Sequence, residues 1–435
     1  MRIQDGGGAA AGTAAGASPE AAIAVARGAE IPPFIADWTL IVSYQEAEEV
    51  LKSPDFRAGR LEDESLPFRQ DVLIELDGEE HRPRRQLEGQ LFSRAALRLY
   101  ETEVLEPAIA RCLRDAASRR GPDGVVRANL AALARNMFLQ IAAQVIGLDG
   151  VDTEERTERL AATFGVLDNA IVVKWSTRDH QEVIREGLAA KAAYTRDFVG
   201  PSLARRRALV AEHQAGRLGA AALPSDLLTL MLLHRAPEWD ADLFVREAIL
   251  YLSASIGSSS AAILFALDEL DRWLERHPED RARLEDAAFL RRISNESLRL
   301  RATFPAMIRW AARDTTLSSG RRIRAGAKVA LVNDAINRDP AVFGPDADVF
   351  DPYRALPPGV HAYGLAFGAG PKSCIGKGLI TTVQGAADAE LERAMVKILK
   401  ALYRAGVVVD RGAAARRTPS AEVRFTDFPV RFERL

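Results

Sequence analysis

The chain has 435 residues, 48% of them apolar and 27% charged, with a formal net charge of -2; that is the composition of a folded protein with a sizeable core, and the balance gives no support to a nucleic-acid partner. Only two cysteines occur, Cys112 and Cys374, which excludes a disulfide framework or a four-cysteine metal site and suits a reducing, cytoplasmic setting. No uninterrupted apolar run reaches the roughly 18 to 20 residues of a membrane span, and the start lacks the basic-then-apolar order of a secretory signal, so neither a membrane nor export is expected.

Residues 1–30, beginning MRIQDGGGAAAGTAAGASPE, carry few large side chains and read as a flexible Gly/Ala-rich tail ahead of one domain over 31–435. DWTLIVS near residue 40 reads as a short strand. From about 43 to 300 apolar residues recur three and four apart in five long stretches, 44–53, 95–120, 127–148, 180–213 and 242–277, which predicts a large helical domain. The triplet RRR at 205–207 reads as a solvated helix face. Further strands are predicted in RIRAGAKVALVN (322–333), in VVVD (407–410) and in the C-terminal VRFTDFPVRFERL. The fold class is therefore mainly α with small peripheral β-sheets, without internal repeats or the strand-helix alternation of a nucleotide-binding sheet.

The most informative stretch is FGAGPKSCIGKGLI, residues 367–380, where Phe367, Gly368, Gly370, Cys374 and Gly376 stand just before a helical pattern. Glycines let backbone wrap closely around a sulfur and aim N–H groups at it, and a metal captures the thiolate rather than the thiol. A lone cysteine is ordinarily a small buried apolar side chain, the reading kept for Cys112. For Cys374 the surrounding pattern resembles the haem-binding loop of cytochromes P-450, and the resemblance extends from about residue 35 to 435. It implies the cytochrome P-450 fold, a haem b cofactor (iron protoporphyrin IX), and Cys374 as the iron ligand with Phe367 and Gly376 in its loop. Thiolate ligation favours cleavage of the O–O bond, so monooxygenation with dioxygen is the chemistry implied.

Other landmarks follow from the same resemblance. Glu296 and Arg299 in NESLRL lie three apart, close enough to pair on a helix, and match the family's Glu-x-x-Arg motif. Arg354 in FDPYR matches the third member of that ion network. His81 and Arg85 in HRPRR, four apart, are similar to the family's propionate-binding pair, and Arg309 in MIRWA matches a further propionate arginine, guanidinium being able to grip a carboxylate with two prongs. Lys372 stands where the family carries His or Arg and would reach a propionate as a point charge; His361 serves equally well as a loop residue.

Residues 245–275 resemble the helix that crosses the distal face of the haem. One register places Ala254 and Ser255 at its small pair, Gly257 at its acid and Ser258 at its threonine; a shifted register uses Gly257 as the glycine and Ser260 as the alcohol. Both supply a hydroxyl and neither supplies the acid, so protons would come by ordered water, a serine or the substrate. The expected function is oxidation of a lipophilic small molecule, walled by residues such as Phe68, Leu73, Phe164, Val172, Val173, Trp175 and Met307. Electrons would come from a separate ferredoxin and ferredoxin reductase, since neither a dinucleotide fingerprint nor a cysteine cluster occurs, with Lys372, Lys377 and Arg111 as candidate docking charges. Peroxide-driven turnover, a non-hydroxylating rearrangement, and a haem-binding sensor or carrier are the rival readings.

Overall fold

The computed structural model describes residues 18–58, 64–236, 239–382, 391–418, 420 and 425–435. They make two compact units interleaved along the chain, one of Met1–Ala58, Leu113–Leu133 and Ala261–Leu435, the other of Gly59–Cys112 and Ala134–Ser260. Helices predominate, and every described strand belongs to the first unit.

In the first unit, α1 (Pro19–Ala26) starts on Ser18, whose hydroxyl accepts the Ala21 N–H at 3.2 Å, with Pro19 at the position where a missing N–H costs nothing. Arg27 moors it by donating to the Val42 and Ala335 carbonyls and pairing with Asp339 at 3.2 Å. The stretch read as a loose tail thus divides: residues 1–17 lie outside the described residues, and from Ser18 the chain is helical and anchored.

The strands of the two larger sheets are β1 (Thr39–Ile41), β2 (Phe56–Arg57), β3 (Val126–Asn129), β4 (Ala306–Ala311), β5 (Lys328–Val332), β6 (Val407–Val409) and β7 (Pro429–Phe432); Thr315–Thr316 pairs with Arg322–Ile323 and Arg416–Arg417 with Phe425–Asp427 in two small ribbons. One sheet has the order β1-β5-β4-β2, with Ala330 of β5 opposite Leu40 on one side and Ile308 on the other; a second has the order β3-β7-β6. β5 is central and buried on both faces, hence its continuous apolar run. Behind the first sheet Ile41, Ala47, Val50, Leu51, Val329 and Leu365 share one core cluster. The sequence reading passed over β2, β3 and β4. RAN looked helical, but Asn129 ends β3 by accepting the Ala131 and Phe428 N–H groups through its side chain, and helix begins only at Leu130.

The described strands being elsewhere, the second unit is built from helices. They include α2 (Gly78–Gly89), α3 (Glu154–Ile171) and the first part of α4 (Ala241–Arg276), whose remainder belongs to the first unit. Two long predicted helices, 95–120 and 180–213, widen into π turns at Tyr100–Leu105 and Thr195–Val199. A proline follows each, Pro107 and Pro201, which lacks an N–H and crowds the carbonyl four residues back. Arg206 departs from the solvated face expected of its triplet: it is buried and pairs with Asp226 at 2.9 Å and Asp149 at 2.6 Å. α4 is long and apolar enough to cross a membrane, yet 83% of its most apolar window is buried inside the protein, as for a core helix. Two further helices matter below, α5 (Ala287–Leu300) and α6 (Arg393–Arg404), both in the first unit.

Candidate functional site

The loop carrying Cys374 is held in an open conformation by its own backbone. Gly368 and Gly370 adopt φ of 65° and 67°, a region that favours glycine, and a Cβ on Gly370 would stand 2.7 Å from the Leu51 carbonyl oxygen. The Cys374 N–H donates to the Phe367 carbonyl at 2.8 Å, closing the loop just before the short helix Lys377–Ile380. Cys374 itself is exposed, while Phe367, Lys372, Ile375 and Gly376 around it are half-buried. Gly368 faces Met307 of β4, the strand that also bears Arg309, and Met307 through Trp310 are all half-buried although β4 has a strand on each side. The Arg309 guanidinium donates to the Ile308 carbonyl at 2.8 Å.

Upstream, aromatic rings and an ion network fix where this loop starts. His361 stacks on Tyr363, which meets the Phe367 ring edge-on at 5.0 Å. Burial, with Lys377 and Lys52 close by, holds the His361 pKa below its usual value. The Leu365 N–H donates to Asn337 Oδ1 at 2.8 Å, and the Asn337 carbonyl accepts from Arg299 of α5 at 2.7 Å. Arg299 in turn grips Glu296 with two prongs, at 2.6 and 2.8 Å, and Arg354 reaches the same carboxylate at 3.3 Å while donating to the Phe343 and Val349 carbonyls. The Glu-x-x-Arg pair and Arg354 therefore form one buried strut two steps from the cysteine loop. Thr381, just past the loop, donates to Asn295 of α5 at 2.8 Å and ties down its far end.

The remaining predicted site residues lie in the second unit. His81 and Arg85 are one turn apart on α2, His81 buried and Arg85 half-buried. On α4 the helix runs unbroken through Gly257, which is buried; Ser255 and Ser258 are half-buried and Ala254 is exposed, in an otherwise buried stretch. The Ser255 hydroxyl donates to the Tyr251 carbonyl at 2.5 Å and that of Ser258 to the Ala254 carbonyl at 2.7 Å. No carboxylate lies between residues 254 and 260. Of the expected pocket walls in this unit, Phe68, Leu73, Phe164 and Val173 are all buried.

Sequence reasoning missed a charged cluster in this unit. Arg84 of α2 joins two carboxylates, Glu88 one turn on and Glu247 of α4, the latter at 2.7 Å; the Leu73 N–H also donates to Glu247, and the Tyr251 hydroxyl donates to Glu88 at 2.7 Å. Glu88 and Glu247 are both fully buried. Burial, reinforced by the charge of Glu88, pushes the Glu247 pKa up to about 8, and burial raises those of Glu88 and Tyr251 too. The available signal was a glutamate four residues before a tyrosine in the apolar run LFVREAILYL, on the stripe that leads to Ser255 and Ser258.

A mainly helical protein whose glycine loop presents one accessible thiol beside an arginine-bearing strand belongs to the class built to hold a thiolate-ligated group. The family model for cytochrome P450 matches residues 266–400. A bifunctional cytochrome P450/NADPH–P450 reductase of Bacillus subtilis is 31% identical over 172 residues, covering 35% of this chain and 16% of its own length; a putative cytochrome P450 of Mycobacterium tuberculosis is 30% identical over 262 residues, covering 56% and 51%. The chain thus spans about half the length or less of these curated relatives. Among solved structures, P450BioI in complex with an acyl carrier protein carrying hexadec-9Z-enoic acid superposes with a TM-score of 0.69 at 20% identity, covering 95% of this chain and 97% of that one. CYP109E1 from Bacillus megaterium with testosterone gives 0.67 at 18% identity, covering 96% and 99%. The chain has the cytochrome P450 fold.

The family's cofactor is haem, iron protoporphyrin IX. Residues of the first unit fit it. Among the described residues no three His, Cys, Asp or Glu side chains gather to cage a metal, so Cys374 offers a single soft ligand, the complement of an iron whose equatorial ligands come with a macrocycle. Half-buried Phe367, Ile375 and Met307 offer the apolar contact that a porphyrin face needs, and Arg309 the charge that its carboxylates need.

Proposed function

We propose that this chain is a haem-thiolate monooxygenase that oxidises a lipophilic small molecule, with Cys374 as the iron ligand. The observation that carries this reading is the exposed Cys374 thiol at the rim of a glycine loop whose start and end are both tied to buried structure. Bound haem supplies the activation of dioxygen, for which a thiolate ligand favours O–O cleavage. Arg309 and Lys372, with His81 and Arg85, hold the propionates; Phe367 and Gly376 shape the loop around the sulfur. Arg309 does so as a two-pronged donor, Lys372 as a point charge. Ser255 and Ser258 keep hydroxyls on the distal helix, where Gly257 leaves room but brings no acid.

The substrate side is apolar, as Phe68, Phe164 and Val173 suggest, and the fatty acyl and steroid ligands in the names of the two structural neighbours are of that kind. Electrons come from a separate ferredoxin and its reductase, with Lys372 and Lys377 offering charge to an acidic partner, and the paucity of cysteines suits a cytoplasmic location. The missing carboxylate at Gly257 favours one alternative, turnover driven by peroxide. The deciding experiment is the visible spectrum of the reduced protein under carbon monoxide. Wild type should show the red-shifted Soret band of thiolate ligation and Cys374→Ser should lose it; haem-loaded wild type without that band refutes the reading. Turnover supported by hydrogen peroxide but not by a reductase system would select the alternative.

A further inference from the structure

We infer that a row of side chains across the first sheet, Arg57, Trp310, Lys328 and Trp38, is a binding site for the carboxylate head of a lipophilic acid. That such an acid is the substrate rests on the monooxygenase reading; the binding site does not.

The row follows from strand register. Arg57 of β2 stands directly opposite Trp310 of β4, and Trp310 directly opposite Lys328 of β5. Side chains of directly opposed residues leave a sheet on the same face. Thr39 of β1 is opposite Val329, so Trp38, one residue earlier, comes level with Lys328. Ring contacts close the row: the Trp38 and Trp310 indoles meet at 5.7 Å, the Lys328 ammonium lies over the Trp38 ring at 5.4 Å, and Phe34 meets Trp38 edge-on at 5.8 Å. Cation and indole therefore alternate across the sheet.

The donors of this row have no acceptor in the protein. Arg57 and Lys328 are exposed, and neither makes an ion pair or a side-chain hydrogen bond among the described residues. Neither indole N–H makes a hydrogen bond among them, whereas buried Trp273 gives its N–H to Asp280 at 2.8 Å. Neighbouring carboxylates do not compensate: Asp55 is held by Arg313 and Thr315, and exposed Asp37 pairs with neither cation. A cation over an indole is drawn by the charge distribution of the ring and keeps its N–H groups for another acceptor. Four donor groups without an acceptor on one face suit an anion.

The same face is also apolar. Phe34, Trp38, Trp310 and Ile308 are half-buried, and Ile308 lies on the Trp310 side of β4, about 7 Å along the strand. Rings left this open to water are stabilised by covering them. An acid with a long apolar tail meets both demands. Its head takes Arg57 and Lys328, which are two strand spacings apart, about 10 Å, a gap that side chains of their length can close over Trp310. Its tail covers Trp310 and Ile308. A small inorganic anion would leave the rings wet, and a neutral lipid would leave the cations without a partner. β4 also turns Met307 toward Gly368 of the cysteine loop, so one strand places both the row and that loop.

The test is calorimetric titration of the haem-loaded full chain with decanoate, 1-decanol and acetate at neutral pH. Decanoate should bind about tenfold more tightly than 1-decanol at low salt, which is the gain expected of two exposed ion pairs, and the advantage should shrink at high salt. Combining Arg57→Gln with Lys328→Gln should lower decanoate to the affinity of the alcohol and leave unfolding unchanged, since both side chains are exposed. Equal affinities in wild type, or a preference for decanoate that survives in the double variant, overturn the head-binding row. Acetate that competes with decanoate at equal concentration overturns the apolar half of the site. Decanoate held by the row without any shift of the Soret band overturns the role as substrate and leaves the site standing. A protein without the thiolate-haem spectrum overturns the enzymatic reading, and the calorimetry then decides the site alone.

Discussion

Each of the two units contains a buried ion network joining a helix to the chain around it, and among their buried groups the two have opposite charge excess. In the first unit one buried carboxylate, Glu296, meets two guanidinium groups; Arg299 and Arg354 also donate to carbonyls at Asn337, Ala347, Phe343 and Val349, and Arg354 reaches the exposed Asp346 at 2.9 Å. In the second, two carboxylates, Glu88 and Glu247, meet the single guanidinium of Arg84. Guanidinium does not release its proton in the accessible pH range, so the first arrangement is a fixed strut. In the carboxylate-rich arrangement burial outweighs the nearby cations and raises the pKa of both glutamates. Similar ingredients thus give either rigidity or a proton-holding group, according to which sign is in surplus.

The largest effect should come from breaking the strut. Glu296→Ala strands Arg299 and Arg354 without their shared carboxylate and should destabilise the protein by roughly 3 to 5 kcal/mol, with loss of haem uptake because Asn337 and Leu365 lose their mooring. Denaturant unfolding and the carbon monoxide spectrum measure the two consequences. Since guanidinium does not titrate here, the deficit should be the same at pH 5 and pH 8, and a strong pH dependence would show that the strut is not fixed.

Glu247→Gln should do the reverse: a change of slope with pH rather than a constant loss. The Glu247 pKa in the folded protein is raised above that of the unfolded chain, so the folded state binds the extra proton between the two values. Its stabilisation is complete below the unfolded value and is lost as pH rises toward about 8. Wild type should therefore lose roughly 2 to 5 kcal/mol between pH 5 and pH 9, and Glu247→Gln should remove most of that slope in unfolding curves taken across the range. Tyr251→Phe, which deletes one hydrogen bond to Glu88, should cost a smaller amount, about 1 to 3 kcal/mol at pH 7 by the same measurement.

What could be read beforehand follows the same division. The cysteine loop is contiguous, and Gly368 and Gly370 are fixed by backbone conformation that other residues do not take readily, so FGAGPKSCIG is legible as it stands. Glu296 and Arg299 are three apart on α5, and helical geometry alone suggests their pairing. Arg354 could be added only by resemblance, since the connection runs through a carbonyl cage made by folding. The long helices were legible from their periodicity, whereas β4 was not: AMIRWA has no alternation because β4 is half-buried along its middle. The Arg84 cluster was invisible for a related reason. It joins residues 163 apart in sequence, and Arg84 and Glu88 sit on α2 beside the His81 and Arg85 stripe that drew attention first.

The smallest expected effect on stability separates a hydroxyl used for structure from one used for chemistry. Ser258 donates only to the Ala254 carbonyl of its own helix, a bond that duplicates what the backbone already has and that slightly disfavours the helix. Alanine has the better helix propensity and fills the same space. Ser258→Ala should therefore leave unfolding within about 0.5 kcal/mol of wild type, at every pH, unlike the changes at Glu247 and Tyr251. If its hydroxyl takes part in proton delivery, the same variant should consume reductant at a near-normal rate while more of it is lost as peroxide. Peroxide yield per reducing equivalent, measured beside product formation, decides the matter. A stability loss of several kcal/mol would mark Ser258 as a packing residue, and coupling equal to wild type would remove it from proton delivery.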